Sequence, residues 1–199
     1  MKIKNINIDI FHSITTDFIG IFLALFTSSF LAYKLSLEGR GIIAFIQSSI
    51  AFLGFLTTPI TAKYEIFLGK NKSEIRNSFL NSSFEIFILC IFASILLIFL
   101  TINTINIQLL ILSIINLWLI FFSQLYQRLL LAKRMIKQIN YLNIISSLIY
   151  IFCLLLFNYL NQIDMISIMG SYIIMSTYLL ISYLFIIYKL DKLIDLKIK

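Results

Sequence analysis

The feature that most constrains this chain is an apolar run over residues 11–32, close to its beginning. A bilayer hydrocarbon core about 30 Å thick needs about 20 apolar residues at 1.5 Å each, so this run can cross it as a single helix. One acidic residue, Asp17, interrupts the run. We therefore expect a membrane-spanning first helix with a carboxylate about 9 Å from its start, at 1.5 Å per residue. We expect Asp17 to lie inside the helix bundle, where it faces a cavity or a partner.

Apolar runs of similar length recur through the rest of the chain, separated by short polar segments. Of the 199 residues, 60% are hydrophobic and 13% are charged, whereas a soluble domain carries roughly 25% charged residues. The pattern predicts an all-α integral membrane protein with a single domain over residues 1–199. The six predicted spans are about residues 11–33, 41–61, 79–101, 107–126, 141–159 and 166–188.

Basic residues fall almost entirely on one side of this arrangement. All of the 16 lysines and arginines except Lys34 and Arg40 lie in segments that are cytoplasmic if the N-terminus is cytoplasmic. The positive-inside rule then predicts that both ends of the chain lie in the cytoplasm, in a multi-pass protein of the inner, cytoplasmic membrane. The net charge of +7 reflects this orientation. We expect no nucleic-acid partner, because the basic residues do not cluster on one soluble surface.

Residue patterns typical of catalytic or metal-binding sites are sparse in this sequence. Cys90 and Cys153 lie in apolar runs without a CxxC spacing, which indicates buried thiols rather than a disulfide or a metal site. The single histidine, His12, has no second histidine or carboxylate at metal-ligand spacing. The sequence contains no H-E-x-x-H or G-x-S-x-G motif. We therefore expect no enzyme activity, no metal and no cofactor.

Small and polar side chains recur at helical spacing on the first two spans. They are Thr16, Gly20, Ala24, Ser28 and Ala32 on the first, and Ala44, Gln47, Ser48, Ala51, Gly54 and Thr58 on the second. Small residues let two membrane helices approach closely, so these two faces are expected to pack together. Pro59, the only proline, is expected to bend the last turn of the second span.

The segment between the first two spans resembles a family motif. Residues 35–41 read L-S-L-E-G-R-G and are similar to the L-G-P-E-G-R-G or L-G-P-E-G-Y-G that follows the first helix of polysaccharide flippases. Ser36 and Leu37 stand where the family has Gly and Pro. Residues 67–72 resemble the family's basic loop, and residues 128–143 resemble the stretch after its fourth helix. The chain is thus similar to the N-terminal six-helix lobe of an O-antigen-type flippase, in the superfamily that also holds drug and toxin extruders and the peptidoglycan-precursor flippase.

The resemblance implies a mechanism and partners. Two six-helix lobes would enclose a central cavity that opens alternately to either side and carries a lipid-linked polysaccharide unit across the membrane. This chain would form one lobe, surrounded by membrane lipid, and the second lobe would be another copy of it or a separate polypeptide. The candidate residues for the substrate path are Asp17, Gln47, Asn116, Gln124, Gln127 and Arg128. Arg128 could bind a pyrophosphate in bidentate fashion or act as an ordinary positive-inside anchor.

Two other functions fit the same residues. Asp17 and Glu85, with few buried cations, would also suit a cationic drug or a coupling proton, as in a cation-coupled multidrug extruder. A non-transporting membrane scaffold for glycan-assembly enzymes would need no cavity. Deleting the protein would distinguish the three functions. Loss of a flippase leaves lipid-linked glycan on the inner leaflet, and loss of an extruder changes drug sensitivity. Loss of a scaffold abolishes assembly of the enzyme complex.

Overall fold

The computed structural model describes residues 3–60, 72–101, 105–133 and 135–196, with side chains for 14–60, 81–101, 105–131, 133 and 135–189. The described residues form long helices and no strand. The helices are α1 (Ile3–Lys34), α2 (Leu37–Phe55), α3 (Lys72–Thr101), α4 (Ile107–Ala132), α5 (Ile136–Tyr159) and α6 (Met165–Leu196).

All six helices are long and apolar enough to cross a membrane. The apolar spans within the described residues are Ile14–Lys34, Leu37–Ile60, Asn81–Thr101, Ile107–Leu131, Ile136–Tyr159 and Met165–Lys189. Each overlaps one of the spans predicted from the sequence, so the prediction of an all-α chain with six candidate membrane-spanning helices is confirmed for the described residues. Parts of the loop predicted between the second and third spans, and Arg134, lie outside the described residues.

The corner between α1 and α2 is shorter than the sequence suggests. The second span was expected to begin near residue 41, but α2 begins at Leu37, after only Leu35 and Ser36. The Ser36 side chain accepts a hydrogen bond from the Gly39 backbone N–H at 3.1 Å and thereby caps the helix. Glu38 lies in the first turn, where its negative charge interacts favourably with the helix dipole. These two local interactions extend α2 back into the predicted corner.

The end of α2 is set by Pro59. The helix ends at Phe55, Leu56 forms a turn, and residues 57–60 are helical again. Proline has no N–H, so Pro59 cannot donate to the carbonyl of Phe55 four residues earlier, and its ring crowds that carbonyl. The helix is therefore interrupted three residues before Pro59, where the bend was predicted.

Helix α4 lies at the centre of the bundle. It packs most extensively on α6, and also contacts α2, α3 and α5. Its side chains Leu117, Phe121 and Leu125 are fully buried. Because lipid is as apolar as these side chains, close van der Waals packing rather than removal from water holds such a core together.

The expected pairing of the small faces of α1 and α2 is wrong. Helix α1 packs chiefly on α5 and makes little contact with α2. A Cβ added at Gly20 would meet nothing within 4 Å, and Ala24 and Ser28 are exposed. Helix α2 instead faces the bundle with branched apolar side chains, which include Ile46 and Ile50. These longer side chains fill the space between helices and gain more dispersion contacts than small ones.

Candidate functional site

The bundle has two distinguishable ends. At the first, which we call the corner end, the start of α2 lies beside the start of α6, since a Cβ at Gly39 would be 3.8 Å from Cγ of Met165. At the second, the basic end, the end of α2 lies beside the end of α4, where Arg128 and Lys133 occur. Each end contains a cavity, which we name after it.

The basic-end cavity lies between the ends of α2 and α4 and has a volume of about 380 Å³. The described residues that line it are Ala51, Gly54, Phe55, Thr57, Thr58, Gln124, Gln127, Arg128 and Leu131. Three of the predicted path residues, Gln124, Gln127 and Arg128, therefore share one site. Their spacing of three and four residues places them on one face of α4.

Thr57 and Gln124, which both line this cavity, are in contact with each other. Thr57 is 1% exposed, and its Oγ1 lies 2.6 Å from Oε1 of Gln124 and 2.7 Å from the carbonyl oxygen of Gly54. Because a hydroxyl carries a single hydrogen, Thr57 donates to one of these oxygens at a time.

Gly54 makes room for the Gln124 amide. A Cβ added at Gly54 would lie 3.3 Å from Nε2 of Gln124, which is closer than side chains normally approach. The glycine thus lets α2 and α4 come together around a polar group, as small residues do between membrane helices.

One basic side chain lies among the described residues of the basic-end cavity. Among the described lining residues Arg128 is the only charged one, and no carboxylate is present. A guanidinium offers a planar fork of donors that matches phosphate oxygens, while Thr58 and Gln127 add neutral hydrogen-bonding groups. The arrangement can bind an anionic, polar head between two helices.

Gln47 and Asn116 lie elsewhere and join helices. Nε2 of Gln47 on α2 lies 3.8 Å from Sδ of Met169 on α6, a weak hydrogen bond. Asn116 on α4 is fully buried, and its Oδ1 accepts a hydrogen bond from Ser176 on α6 at 2.9 Å. The Nδ2 of Asn116 has no hydrogen-bond partner in the described part of the chain. Neither residue is among those that line the basic-end or the corner-end cavity, and both form contacts between helices.

Asp17 does not lie inside the six-helix bundle. It is exposed on α1, while its neighbour Thr16 is 8% exposed and faces the bundle. Successive helical positions differ by about 100°, so burying Thr16 turns Asp17 outward. The prediction that Asp17 is enclosed by the helices of this chain is wrong.

Two residues of these contacts were missed in the sequence. The sequence pattern points to Thr58 rather than Thr57 on the second span, and it does not single out Ser176 on the sixth. The available signal was indirect: polar side chains such as Gln124 and Asn116 inside a span need hydrogen-bond partners on neighbouring helices. The partner's position depends on helix register, which the sequence does not give.

Within the described residues, no group of three or more His, Cys, Asp and Glu side chains could hold a metal ion. Comparison with known proteins finds no matching family model, no matching curated protein and no matching solved structure.

Proposed function

We propose that this chain is one lobe of a transporter that moves lipid-linked polysaccharide units across the cytoplasmic membrane. The observation that carries the proposal is the basic-end cavity, in which Arg128 and the neutral polar groups of Thr58 and Gln127 lie at one end of an otherwise apolar bundle. A lipid-linked glycan has matching parts: an anionic phosphate linkage, a neutral sugar head and an apolar tail.

The corner between α1 and α2 supports the family resemblance. Ser36 occupies the N-cap position and Leu37 the first helical position of α2. The flippase motif has Gly and Pro at these two places, and Gly is tolerated at an N-cap while Pro is favoured at the first helical position. The two departures in this chain therefore preserve a helix start at the same point.

The distribution of lysines and arginines predicts the membrane orientation of the proposed transporter. The positive-inside rule places the basic end in the cytoplasm, where lipid-linked units are assembled. The basic-end cavity then opens toward the leaflet that holds the substrate. Arg128 binds the phosphate there, the polar side chains contact the sugar, and the lipid tail stays in the bilayer.

A second lobe completes the path. Asp17 lies on the face of α1 that points away from the other helices, and a charged side chain that faces lipid is costly. A partner that covers this face would remove the cost. A second copy of the chain or a separate six-helix polypeptide could do so, and related lobes in transporters are commonly arranged about an axis along the membrane normal.

Transport by reconstituted protein tests the proposal. Vesicles would contain the full chain and a labelled polyprenyl-pyrophosphoryl sugar, and the label that becomes accessible to a membrane-impermeant reagent would be measured. Because hydrogen bonds to charged groups contribute about 1.5–3 kcal/mol, Arg128→Gln should slow transport by about tenfold or more.

Lys133→Gln is the matched control, since it removes a positive charge at the end of the same helix without altering a cavity-lining residue. It should leave transport within about twofold of the unsubstituted chain, as surface substitutions usually have small effects. If the two substitutions slow transport equally, Arg128 acts only as a membrane anchor. Export of a cationic dye without movement of the glycan would indicate the extruder instead.

A further inference from the structure

Helix α1 is the least enclosed helix of the bundle. The buried share of its apolar span is 6%, whereas the other five spans are 17–39% buried. Asp17, Ala24 and Ser28 are all exposed on α1, and their spacing of seven and four residues places them on one face. Because Ala24 and Ser28 are small, another helix can approach this face closely enough to reach the carboxylate.

The charge of Asp17 limits what can cover this face. A charged side chain within a membrane span is costly in lipid and usually pairs with a group of opposite charge. Helix α1 of a second copy does not supply such a group, because a symmetric pairing of the two α1 helices would bring two Asp17 carboxylates together at the same depth. Like charges opposite one another repel, so the partner surface must be basic.

A surface with the required charge lies on the same chain, between α2 and α4. Gln124, Gln127 and Arg128 are half-buried in the basic-end cavity, and none of the described residues that line it is acidic. The guanidinium of arginine offers a planar fork of donors that matches a carboxylate as well as it matches a phosphate. On the α2 side the small residues Ala51 and Gly54 leave room for a neighbouring helix.

The depths of the two surfaces also agree. The start of α4 lies at the corner end, since Leu112 lines the corner-end cavity together with Ile166 at the start of α6. Asp17, Gly54 and Gln124 each lie 17 residues from the corner-end terminus of their own helices, α1, α2 and α4. At 1.5 Å per residue, each is therefore about 26 Å from that end. Arg128 lies one helical turn further, within reach of a long side chain that can bend along the helix.

We propose that two copies of this chain associate side by side in the membrane, with α1 of each copy against the α2–α4 groove of the other. Asp17 of one copy pairs with Arg128 of the other, and a twofold axis along the membrane normal repeats the pair. Both surfaces are neighbours in each copy, because only Leu35 and Ser36 join α1 to α2.

This arrangement specifies the second lobe of the proposed transporter as a second copy and in that respect rests on the proposed function. The Asp17 carboxylate and a substrate phosphate would then compete for the same guanidinium. The association itself requires no transport. Failure of transport in vesicles and failure of association are therefore separate results.

Energy transfer between two labelled populations of the full chain tests the association. Donor- and acceptor-tagged copies, each labelled at the C-terminus, are mixed in phosphatidylcholine vesicles over a range of protein-to-lipid ratios. Asp17→Asn and Arg128→Gln each remove a charge-assisted contact, so each should weaken the association by about tenfold or more. Lys133→Gln removes a basic residue outside the groove and should change it by no more than about twofold.

Reversal of the two charges tests the pairing itself. Asp17→Arg alone and Arg128→Asp alone should each abolish the association, because like charges would then meet. The chain that carries both substitutions has the same pair with its members exchanged, so association should return. Circular dichroism and size-exclusion chromatography confirm that each variant folds.

Site-directed disulfides locate the contact in chains whose native Cys90 and Cys153 are replaced by alanine. Copies with Asp17→Cys should cross-link to copies with Gln124→Cys, which lies at the same depth. Copies with Phe18→Cys are the matched control, because Phe18 is also exposed but its position is turned by about 100° on α1.

Three results would overturn the proposal. The first is that the copies stay apart at every protein-to-lipid ratio, which would assign the second lobe to a separate polypeptide. The second is that energy transfer survives both Asp17→Asn and Arg128→Gln, which would place the contact on another surface. The third is that the folded chain with both charges reversed stays monomeric.

Discussion

Oγ1 of Thr57 lies 2.6 Å from Oε1 of Gln124, although the two residues are 67 positions apart in the chain. The contact joins the short helical piece after α2 to the central helix α4, beside the basic-end cavity. It is thus both a structural link between helices and part of the wall of the proposed substrate site.

Thr57→Val keeps the shape of the side chain but removes its hydroxyl, so it should weaken this link. Interhelical hydrogen bonds in membrane proteins contribute about 0.6 kcal/mol on average and up to about 1.7 kcal/mol. We expect a loss of this size in the free energy of unfolding in mild detergent. A double-mutant cycle with Gln124→Met measures the coupling, and strictly additive effects would show that the two side chains do not interact.

Gly54→Ala should disturb the cavity through the Gln124 amide, because the new Cβ would approach its Nε2 to 3.3 Å. The amide must shift by a few tenths of an ångström, so we expect lower stability and slower glycan transport. Gly20→Ala on α1 is the control, since its Cβ has open space and alanine is favoured over glycine in a helix by up to about 1 kcal/mol. Unfolding assays should give effects of opposite sign, and equal effects would refute the close approach.

The pair Asn116 and Ser176 should show the cost of an unpaired buried polar group. Ser176→Ala removes the donor to Oδ1 of Asn116, whose Nδ2 already lacks a partner in the described part of the chain. We expect destabilisation by about 1–3 kcal/mol. Adding Asn116→Leu replaces the whole polar group by an apolar one, so the double variant should be more stable than Ser176→Ala alone. The opposite order in thermal unfolding would contradict this account.

The membrane orientation predicts the location of reporters fused along the chain. Fusions after Asn71, Asn103, Lys133, Gln162 and Lys199 should report cytoplasm, outside, cytoplasm, outside and cytoplasm, because the basic segments remain inside. The assay uses a phosphatase and a fluorescent protein as paired reporters, because each is active on only one side of the membrane. Reversal at two consecutive sites would disprove the orientation and place the basic-end cavity on the opposite side.

The number and position of the helices could be predicted because length and apolar composition decide whether a segment spans a membrane. A disturbance of the helix near Pro59 could also be predicted from the proline's missing N–H, although α2 ends at Phe55 rather than near residue 61. These are local properties of the chain. The start of α2 was misplaced because the predicted corner included Leu37 and Glu38, whereas Ser36 caps the helix directly before them.

The packing of the helices could not be predicted from the sequence in the same way. Phe18 and Phe22 on α1 are exposed, while Phe121 on α4 is fully buried, yet all three lie in equally apolar segments. In lipid no difference in polarity separates an outer face from an inner one, so hydrophobic patterning does not identify partner helices. This is why the small face of α1 was wrongly assigned to α2.

The candidate site could be predicted only in part, because the sequence shows which residues share one face of a helix but not how two helices pack. Gln124, Gln127 and Arg128 share one face of one helix, so their spacing alone brings them together. Gly54 and Thr57 reach the cavity from α2, and their register against α4 depends on how the two helices pack. Asp17 was misassigned because a charge in a span was taken to face the interior of this chain, whereas it faces outward.

The interruption between the end of α2 at Phe55 and the short helical piece over residues 57–60 has a mechanical consequence. Bending an intact helix means breaking backbone hydrogen bonds, but Pro59 leaves the Phe55 carbonyl without its usual helical donor, so this position is already weakened. The short piece over residues 57–60 can tilt as a unit, while Ile46, Ile50 and Leu53 remain fixed in the core. Such a hinge would widen or narrow the mouth of the basic-end cavity at the expense of the Thr57–Gln124 contact, while the apolar core stays packed.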